Sequence, residues 1–238
     1  MKLFCATTNP GKLREFKLIV AHYGRGDFEV EPIENTKSIP PCEETGLTFE
    51  DNAAQKACHY GVHAPGMLFA DDSGLEVDAL DGAPGIYSAR FAGEHASDQA
   101  NNRLLLEKLQ SKTNRAARFV CAIALAGHGK LVRTFRGEVG GRIIDSARGP
   151  NGFGYDPLFF HEPFGCSFGE ASAERKLLVS HRAKALAAML EFLASYRSLT
   201  VAARNEGRLS LPSRDRQGAT ELSSLPSRDR EGATGVSK

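Results

Sequence analysis

The order of apolar and polar positions over the first two hundred residues predicts an α/β fold. Short apolar runs bounded by glycine, proline, asparagine or aspartate predict strands, which fall at residues 2–6, 28–33, 67–70, 118–126, 131–139 and 158–160. Apolar residues spaced three or four apart predict helices, which fall at residues 12–21, from 48, from 97, and across 173–196 with a break near 180–182. The turn at residues 127–130 joins two of the strands in a predicted β-hairpin.

Two of the predicted helices begin with residues suited to capping. Thr48 and Ser97 can each accept a hydrogen bond from a free backbone N–H of the first helical turn. Asp51 follows Thr48 by three residues and is placed for a capping box, although Glu or Gln is the usual residue there. These residues predict where the two helices begin.

The stretch that most favours chemistry is residues 70–93, which opens with Asp71 and Asp72 directly after a short apolar run. We expect these carboxylates at the end of a buried strand, where Ser73 and Gly74 open into a loop. A solvated turn is the alternative, because Asp, Ser and Gly all favour turns. The stretch alone leaves both interpretations open.

Other charged residues lie beside or within predicted helices. Glu44 is an acid just before a helix and is available to share a metal ion with Asp72. Lys56 lies within that helix, where it either faces solvent or serves a site. His181 and Arg182 lie at the start of an apolar helix, where cations oppose the helix dipole. That position favours a functional role for both.

Residues 7–12, Thr-Thr-Asn-Pro-Gly-Lys, form a small polar loop between the first predicted strand and helix. Such a loop can bind phosphate through backbone N–H groups, the positive end of the helix and the Lys12 ammonium. It is not a Walker sequence. Many strand-to-helix turns use these residue types for geometry alone, so this signal is weak by itself.

Glycine is dense at residues 149–157, which also carry Phe153 and Tyr155. Glycine lets the backbone approach a ligand closely. Aromatic rings in a polar loop can stack on a flat ligand ring, or they can fill the core beside the next strand. Both interpretations stay open for each of the two rings.

Composition and charge exclude several classes of protein. The chain has 238 residues, 41% of them hydrophobic and 25% charged, which is typical of a soluble globular protein. A net charge of +1 gives no general attraction to nucleic acid or membrane. The five cysteines form no CxxC pair, which argues against a disulfide framework and a zinc site. Without an apolar run long enough for a signal peptide or a membrane span, we expect a cytoplasmic protein.

The last part of the chain has a different character. Residues 210–220 recur almost unchanged as residues 224–234, so a 14-residue unit is repeated in tandem. The repeat is rich in Ser, Arg, Gly and Pro and cannot bury a core, so we predict a disordered tail over residues 200–238 and a single domain over 1–199. Each repeat places Asp between its arginines, which favours a neutral appendage over a nucleic-acid-binding segment.

Five segments of the chain carry a family resemblance. In order they read TTNPGK, EETGLTFEDNAAQKA, ADDSGLEVDALDGAPGIYSARFAG, GPNGFGYDPLF and SHRAKAL. Together they resemble the inosine triphosphate pyrophosphatase family, the RdgB-like dITP/XTP pyrophosphatases. The resemblance spans residues 2–196, leaves the tail outside, and shows no substitution within the motifs that indicates an inactive enzyme.

The resemblance implies a fold and an activity. The fold is an elongated, two-lobed α/β structure around a long mixed sheet, with the active site in the central cleft. The activity is Mg²⁺-dependent cleavage of deaminated purine nucleoside triphosphates (ITP, dITP, XTP) to the monophosphate and pyrophosphate. Enzymes of this family are typically homodimers, so a homodimer is implied as well.

The resemblance also implies roles for individual residues. The triphosphate would be held by Thr7, Thr8, Asn9, Pro10, Gly11 and Lys12. Glu44 and Asp72 would hold Mg²⁺, with Asp72 also the general base, and Lys56 would add catalytic positive charge. The remaining substrate-binding residues would be Ser73, then Phe153, Gly154, Tyr155 and Asp156 around the base and sugar, and Lys176, His181 and Arg182 in the nucleotide pocket.

Three other functions remain open at this point. The related Maf-like pyrophosphatases act on pyrimidine or modified nucleotides. A nucleotide-binding module could keep the pocket and lack turnover, although the pair Glu44 and Asp72 argues against it. Nucleic-acid binding through the arginine-containing tail would make association steeply dependent on salt.

Overall fold

The computed structural model of the protein describes residues 1–34 and 38–206. The strands are β1 Lys2–Cys5, β2 Glu29–Pro32, β3 Met67–Val77, β4 Ala116–Gly127, β5 Lys130–Ile143, β6 Phe159–His161 and β7 Cys166–Ser167. They form a seven-stranded sheet in the order β2-β1-β3-β4-β5-β6-β7. Because β1 pairs in parallel with β2 and β3 while the other neighbours pair antiparallel, the sheet is mixed. The predicted α/β class with a mixed sheet is confirmed.

The helices are α1 Pro10–Tyr23, α2 Phe49–Gly61, α3 Asp98–Leu109, α4 Ala173–Leu177 and α5 His181–Glu206. Short 3₁₀ helices lie at Asp78–Leu80, Gly85–Arg90 and Glu162–Phe164. Thr48 and Ser97 cap α2 and α3 through their hydroxyl oxygens, so both capping predictions are confirmed. Each hydroxyl oxygen thus accepts a hydrogen bond from one of the backbone N–H groups that have no partner within the helix.

Helix α1 begins two residues before its predicted start. Asn9 is the N-cap, and its side-chain oxygen accepts hydrogen bonds from the amides of Gly11 at 2.8 Å and Lys12 at 3.1 Å. Pro10 fits the first helical position because no hydrogen bond is needed from its nitrogen there. The predicted loop at residues 7–12 is thus a short turn followed by helix, and Lys12 projects from the first turn of α1.

Strand β3 is much longer than predicted. It has 11 residues, and Asp71 and Asp72 lie in its middle instead of at its end. It pairs with β4 along its whole length, from Met67 to Val77. Gly74 lies within the strand. The residue there is glycine because a Cβ would lie 2.4 Å from the carbonyl oxygen of Gly85. A close backbone approach, and not a turn, explains this glycine, so the expected loop after Asp72 was wrong.

Alternation along β3 sends its two acids to opposite faces of the sheet. Phe69, like Asp71, belongs to the face covered by α1 and α5, where it packs in a hydrophobic cluster with residues of both helices. Leu68 and Ala70, like Asp72, belong to the face covered by α2. The sheet therefore separates two adjacent carboxylates and gives each one its own set of neighbours.

Strands β4 and β5 form the predicted hairpin. Its turn consists of His128 and Gly129, with φ angles of 49° and 75°. Positive φ at both central residues is the geometry of a tight two-residue hairpin turn. His128 is exposed at the tip, as expected.

Residues Met1–Ser198 form one compact unit. Helix α5 continues to Glu206, past the predicted domain boundary at residue 199. The tandem repeat at residues 210–234 lies outside the described residues, so the division into domain and tail stays a prediction. In the described ranges, no helix is both long and apolar enough to cross a membrane.

Gly137 of β5 packs directly against the start of α5. A Cβ there would lie 2.2 Å from the carbonyl oxygen of His181 and 2.6 Å from the backbone nitrogen of Ala185, whereas a Cβ at Gly140 meets nothing within 4 Å. We expect Gly137→Ala to lower the free energy of unfolding by about 1–3 kcal/mol through overpacking. Gly140→Ala, on the same strand, should change it by less than about 0.5 kcal/mol. Urea denaturation measures both, and equal stabilities would contradict the close packing.

Candidate active site

Most of the predicted site residues line one pocket. Those that do are Asn9, Lys12, Glu44, Lys56, Asp72, Ser73, Phe153, Gly154, Tyr155, Asp156, Lys176, His181 and Arg182. The predicted residues outside its lining are Thr7, Thr8, Pro10 and Gly11. Gly11 is still close, because a Cβ there would lie 2.8 Å from the ring of Phe153. Residues with no predicted role also line the pocket, among them Ser88, Arg90, Asp98, Asn101 and Phe119.

On the α2 face of the sheet, two carboxylates share one ammonium group. Nζ of Lys56 lies 2.8 Å from Asp72 Oδ1 and 3.1 Å from Glu44 Oε2. The side-chain amide of Asn52 donates to the other oxygen of Asp72 at 3.4 Å. Burial raises the pKa of Asp72, and the Lys56 ammonium opposes this shift in part. Two separate chain segments thus bring their acids to one cation.

Within the described residues, no cluster of three or more His, Cys, Asp and Glu side chains is arranged to hold a metal ion. A cation site at this point would therefore rest on two protein carboxylates, Glu44 and Asp72. Hard cations such as Mg²⁺ are commonly held by one or two carboxylates together with waters and substrate phosphate oxygens. The chemistry of this pair fits such an ion.

On the opposite face of the sheet, several donors gather at one oxygen of the buried Asp71 carboxylate. Nζ of Lys12 lies 2.8 Å from Asp71 Oδ2 and Nε of Arg182 lies 3.7 Å from it. The hydroxyl of Ser73 donates to the same oxygen at 3.0 Å and accepts from Arg182 at 2.9 Å. Burial opposes ionisation of Asp71, but Lys12 and Arg182 outweigh it and hold the pKa well below its usual range.

Glu15 of α1 joins the remaining cations of the pocket. Its carboxylate lies 2.8 Å from Nζ of Lys176 and accepts a hydrogen bond from Arg182. Nζ of Lys176 also lies 2.6 Å from Asp156 Oδ2. The same carboxylate oxygen accepts a hydrogen bond from the backbone N–H of Phe153. Each buried cation therefore has an acidic partner, as its burial requires.

The two aromatic rings of the glycine-rich loop go to different surroundings. Phe153 lines the pocket, with Nζ of Lys176 and Cζ of Arg182 lying 5.2 Å and 5.5 Å from its ring centroid. Tyr155 also borders the pocket, but its ring is only 4% exposed and packs in the core. Its hydroxyl donates to the carbonyl of Ser88 at 2.9 Å. Stacking on a ligand ring therefore stays a prediction for Phe153. The ring of Tyr155 fills the core, and its hydroxyl ties the loop to Ser88.

His181 is held as a neutral ring. It stacks on Phe119 with centroids 4.8 Å apart and an interplanar angle of 12°. Burial, and then the positive charge of Arg182 and Lys176, lowers its pKa well below the ordinary value. Its buried Nδ1 atom has no hydrogen-bond partner among the described residues. A ligand that reached this buried atom would supply the missing hydrogen bond.

Comparison with known proteins places this arrangement in a family. The model of the Ham1 family matches residues 3–192. The chain belongs to the Ham1 family. Motif order alone had indicated an inosine triphosphate pyrophosphatase relative, and that prediction is confirmed.

Individual relatives match the chain over a similar length. It is 52% identical over 186 residues to a dITP/XTP pyrophosphatase of an Exiguobacterium species, covering 78% of this chain and 93% of that protein. It is 48% identical over 195 residues to a dITP/XTP pyrophosphatase of Geobacter sulfurreducens, covering 81% and 96%. Among solved structures, the Ham1 protein of Staphylococcus aureus matches with a TM-score of 0.72 and 41% identity, over 82% of this chain and 100% of that one.

Two acids of this Ham1-family site received no role from the sequence, namely Asp71 and Glu15. Asp71 appeared only as the neighbour of Asp72, because a predicted loop gave the two carboxylates no separate faces. Glu15 lies within the helix predicted at residues 12–21 and was assigned no role there. It lies three residues after Lys12 and hence on the same helix face, and that spacing was the available signal.

Glu15→Gln removes the negative charge that pairs with Lys176 and Arg182. The effect of this change on the free energy of unfolding should depend on pH. Burial disfavours the ionised form, but Arg182 and Lys176 outweigh burial and lower the pKa of Glu15. Its stabilising effect is therefore complete above the ordinary pKa of 4.5 and is lost as the pH falls through the lower folded-state pKa. We expect the variant to lose about 1.5–3 kcal/mol of unfolding free energy at pH 7, with a smaller loss below that ordinary value.

The control is Glu162→Gln. Glu162 pairs with Arg142 at 2.9 Å, but both side chains are about half exposed. Such surface pairs contribute about 0–1 kcal/mol, so little change is expected at any pH. Urea denaturation at several pH values measures both variants. A loss for Glu15→Gln that stayed constant from neutral to acidic pH would contradict the role of its charge.

Proposed function

We propose that this protein hydrolyses deaminated purine nucleoside triphosphates, such as dITP, ITP and XTP, to the monophosphate and pyrophosphate. One observation carries the proposal: Glu44 and Asp72 meet at Lys56 in the same pocket as Lys12 and Phe153. Relatives 52% and 48% identical to the chain are named dITP/XTP pyrophosphatases, which supports the same activity. Removal of these nucleotides from the cellular pool is the consequence.

The phosphate end of the pocket is built on the start of α1. Lys12 supplies an ammonium group beside the positive end of the helix dipole, and the side-chain NH2 of Asn9 supplies a hydrogen-bond donor. Lys56 adds a second cation from α2. These groups stabilise the negative charge that develops on the departing pyrophosphate.

Charge balance supports a divalent cation, which we propose is Mg²⁺. The pocket and its ion-paired acids hold five cations and seven acids, so they offer no excess positive charge to a triphosphate. The cations are Lys12, Lys56, Arg90, Lys176 and Arg182, and the acids are Glu15, Glu44, Asp71, Asp72, Glu94, Asp98 and Asp156. Glu44 and Asp72 would hold the ion, which when bound neutralises phosphate charge and acidifies a water.

Asp72 is the proposed general base. Burial raises its pKa, which makes its carboxylate a stronger base than an ordinary aspartate. Asn52 and Lys56 hold the two oxygens of the carboxylate and so fix its direction. Asp72 would take the proton of the attacking water as the water oxygen bonds to phosphorus and the P–O bond to the departing pyrophosphate breaks.

Selectivity for a 6-oxo purine follows from the donors at the other end of the pocket. Nε of Arg182 is buried and has no partner within hydrogen-bond distance in the described structure. A 6-oxo group accepts from such a donor, whereas the 6-amino group of adenine leaves it unpaired, at about 1–3 kcal/mol for each buried donor. Phe153 offers its face to the base.

Further features of the proposal rest on the family resemblance. We propose that the protein acts in the cytoplasm as a homodimer. The residues beyond the compact unit are proposed to be dispensable for catalysis, as expected of an appendage. The Maf-like alternative and the non-catalytic module remain as outcomes that the following measurements distinguish.

A substrate panel tests the activity. We expect release of pyrophosphate, and not orthophosphate, from ITP, dITP and XTP, with ATP, dTTP and UTP turned over at least about tenfold less efficiently. Chelation of divalent cations should abolish turnover, and added Mg²⁺ should restore it. Preference for dTTP or UTP would favour a Maf-like enzyme, and tight ITP binding with no turnover would favour the module.

Asp72→Asn tests the proposed base. Loss of a general base typically slows catalysis by about 10²–10⁴-fold, so we expect pyrophosphate release from ITP to fall within this range. The control is Asp78→Asn, an exposed aspartate after the end of β3, which should keep full activity. Circular dichroism checks that both variants fold. Activity of Asp72→Asn within threefold of the parent protein would overturn the assignment.

A further inference from the structure

Gly154, in the middle of the loop that carries Phe153, is held at both of its backbone polar groups by α3. Its N–H donates to Asp98 Oδ2 at 2.6 Å, and its carbonyl accepts from Asn102 Nδ2 at 3.0 Å. Asp98 and Asn102 are four residues apart and therefore lie on the same face of the helix. One helix face thus holds the two peptide units that flank the Cα of Gly154.

Hydrogen bonds, and not packing, fix the backbone at this point. Gly154 has a φ of +61°, and a Cβ placed on it would meet nothing within 4 Å. The residues on either side are tied elsewhere, Phe153 through its amide to Asp156 and Tyr155 through its hydroxyl to Ser88. Gly154 is therefore the part of the loop whose position depends on α3.

The plane of the Phe153–Gly154 peptide sets the direction of the Phe153 ring. Asp98 holds the N–H of that peptide, so its loss would free the peptide to rotate. The ring lies beside Gly11 and has Lys176 and Arg182 at 5.2 Å and 5.5 Å from its centroid. Rotation of this peptide would therefore change the position of the ring relative to the cations of the pocket.

We propose that Asp98 and Asn102 are positioning residues, a clamp that sets the Phe153 ring for the nucleobase and thereby contributes to base selectivity. The inference rests on the proposed function. The clamp touches the loop backbone through an acceptor at position 98 and a donor at position 102. It acts on the base end of the pocket and leaves the phosphate end, built on α1 and α2, unchanged.

Helix α3 does not need the clamp for its own stability. Leu105 and Leu109 are fully buried in the core, and Ser97 caps the helix start. Asp98 is exposed and Asn102 is only partly buried. Variants at these two positions should therefore fold, and their effects can be separated from unfolding.

The chemistry of the clamp gives each position an isosteric test. Asp98→Asn keeps an acceptor oxygen and should behave like the parent protein, whereas Asp98→Ala should not. Asn102→Asp replaces the donor with an acceptor that faces the Gly154 carbonyl, so it should be at least as impaired as Asn102→Ala. For the impaired variants we expect KM for ITP to rise about 5- to 20-fold, kcat to stay within about threefold, and the preference for ITP over ATP to fall.

Inorganic tripolyphosphate and IMP distinguish the two ends of the pocket. Calorimetry should show unchanged binding of tripolyphosphate and weakened binding of IMP by the impaired variants. Arg103→Ala, an exposed position on the same helix, is the control and should bind both like the parent protein. These binding measurements do not need turnover, so they test the clamp even if ITP hydrolysis fails and the proposed function falls.

Three results would overturn the clamp. In the first, Asp98→Asn is as impaired as Asp98→Ala, which would make charge, and not a hydrogen-bond acceptor, the relevant property. In the second, tripolyphosphate and IMP binding weaken together, which would indicate general disturbance of the pocket. Unchanged KM and IMP binding in both alanine variants would equally remove the inference.

Discussion

The structure depends on placing two adjacent carboxylates in one buried strand. Alternation in β3 sends Asp71 and Asp72 to opposite faces of the sheet, and neither can remain ionised there without a cation. Lys12 of α1 neutralises the first at 2.8 Å, and Lys56 of α2 neutralises the second at 2.8 Å. The strand therefore fixes where both helices must present a lysine, and the pocket forms between these two pairings.

From this requirement follow two networks of charges, one on each face of the sheet. Asp72 connects through Lys56 to Glu44, and Asp71 connects through Arg182 to Glu15. Each group stabilises the ionised state of the next, so removal of one member leaves its neighbour buried without a partner. Effects of substitutions within either network should therefore not be additive. Such a network holds ligand-binding cations in place before any ligand arrives.

The sequence predicted the elements whose signals are local. The start of α2 at Thr48 and the hairpin turn at His128 follow from residues within a few positions. The length of β3 could not be predicted, because the strand is extended by pairing with β4, which is distant in sequence, and because Gly74 reflects the close approach of the Gly85 carbonyl oxygen and not a turn. Glu15 was missed for the same reason, since its partners come from the far end of the chain.

The two ends of the pocket are held by different forces. Ion pairs hold Lys12 and Lys56, whereas backbone hydrogen bonds hold the loop of Phe153 and Tyr155. Coulombic attraction acts without strict geometry, which suits a flexible triphosphate with many charged oxygens. Hydrogen bonds to a backbone fix a direction, which suits discrimination between flat bases that differ in one donor or acceptor. In the proposed function, affinity thus arises mainly at the charged end and base selectivity at the hydrogen-bonded end.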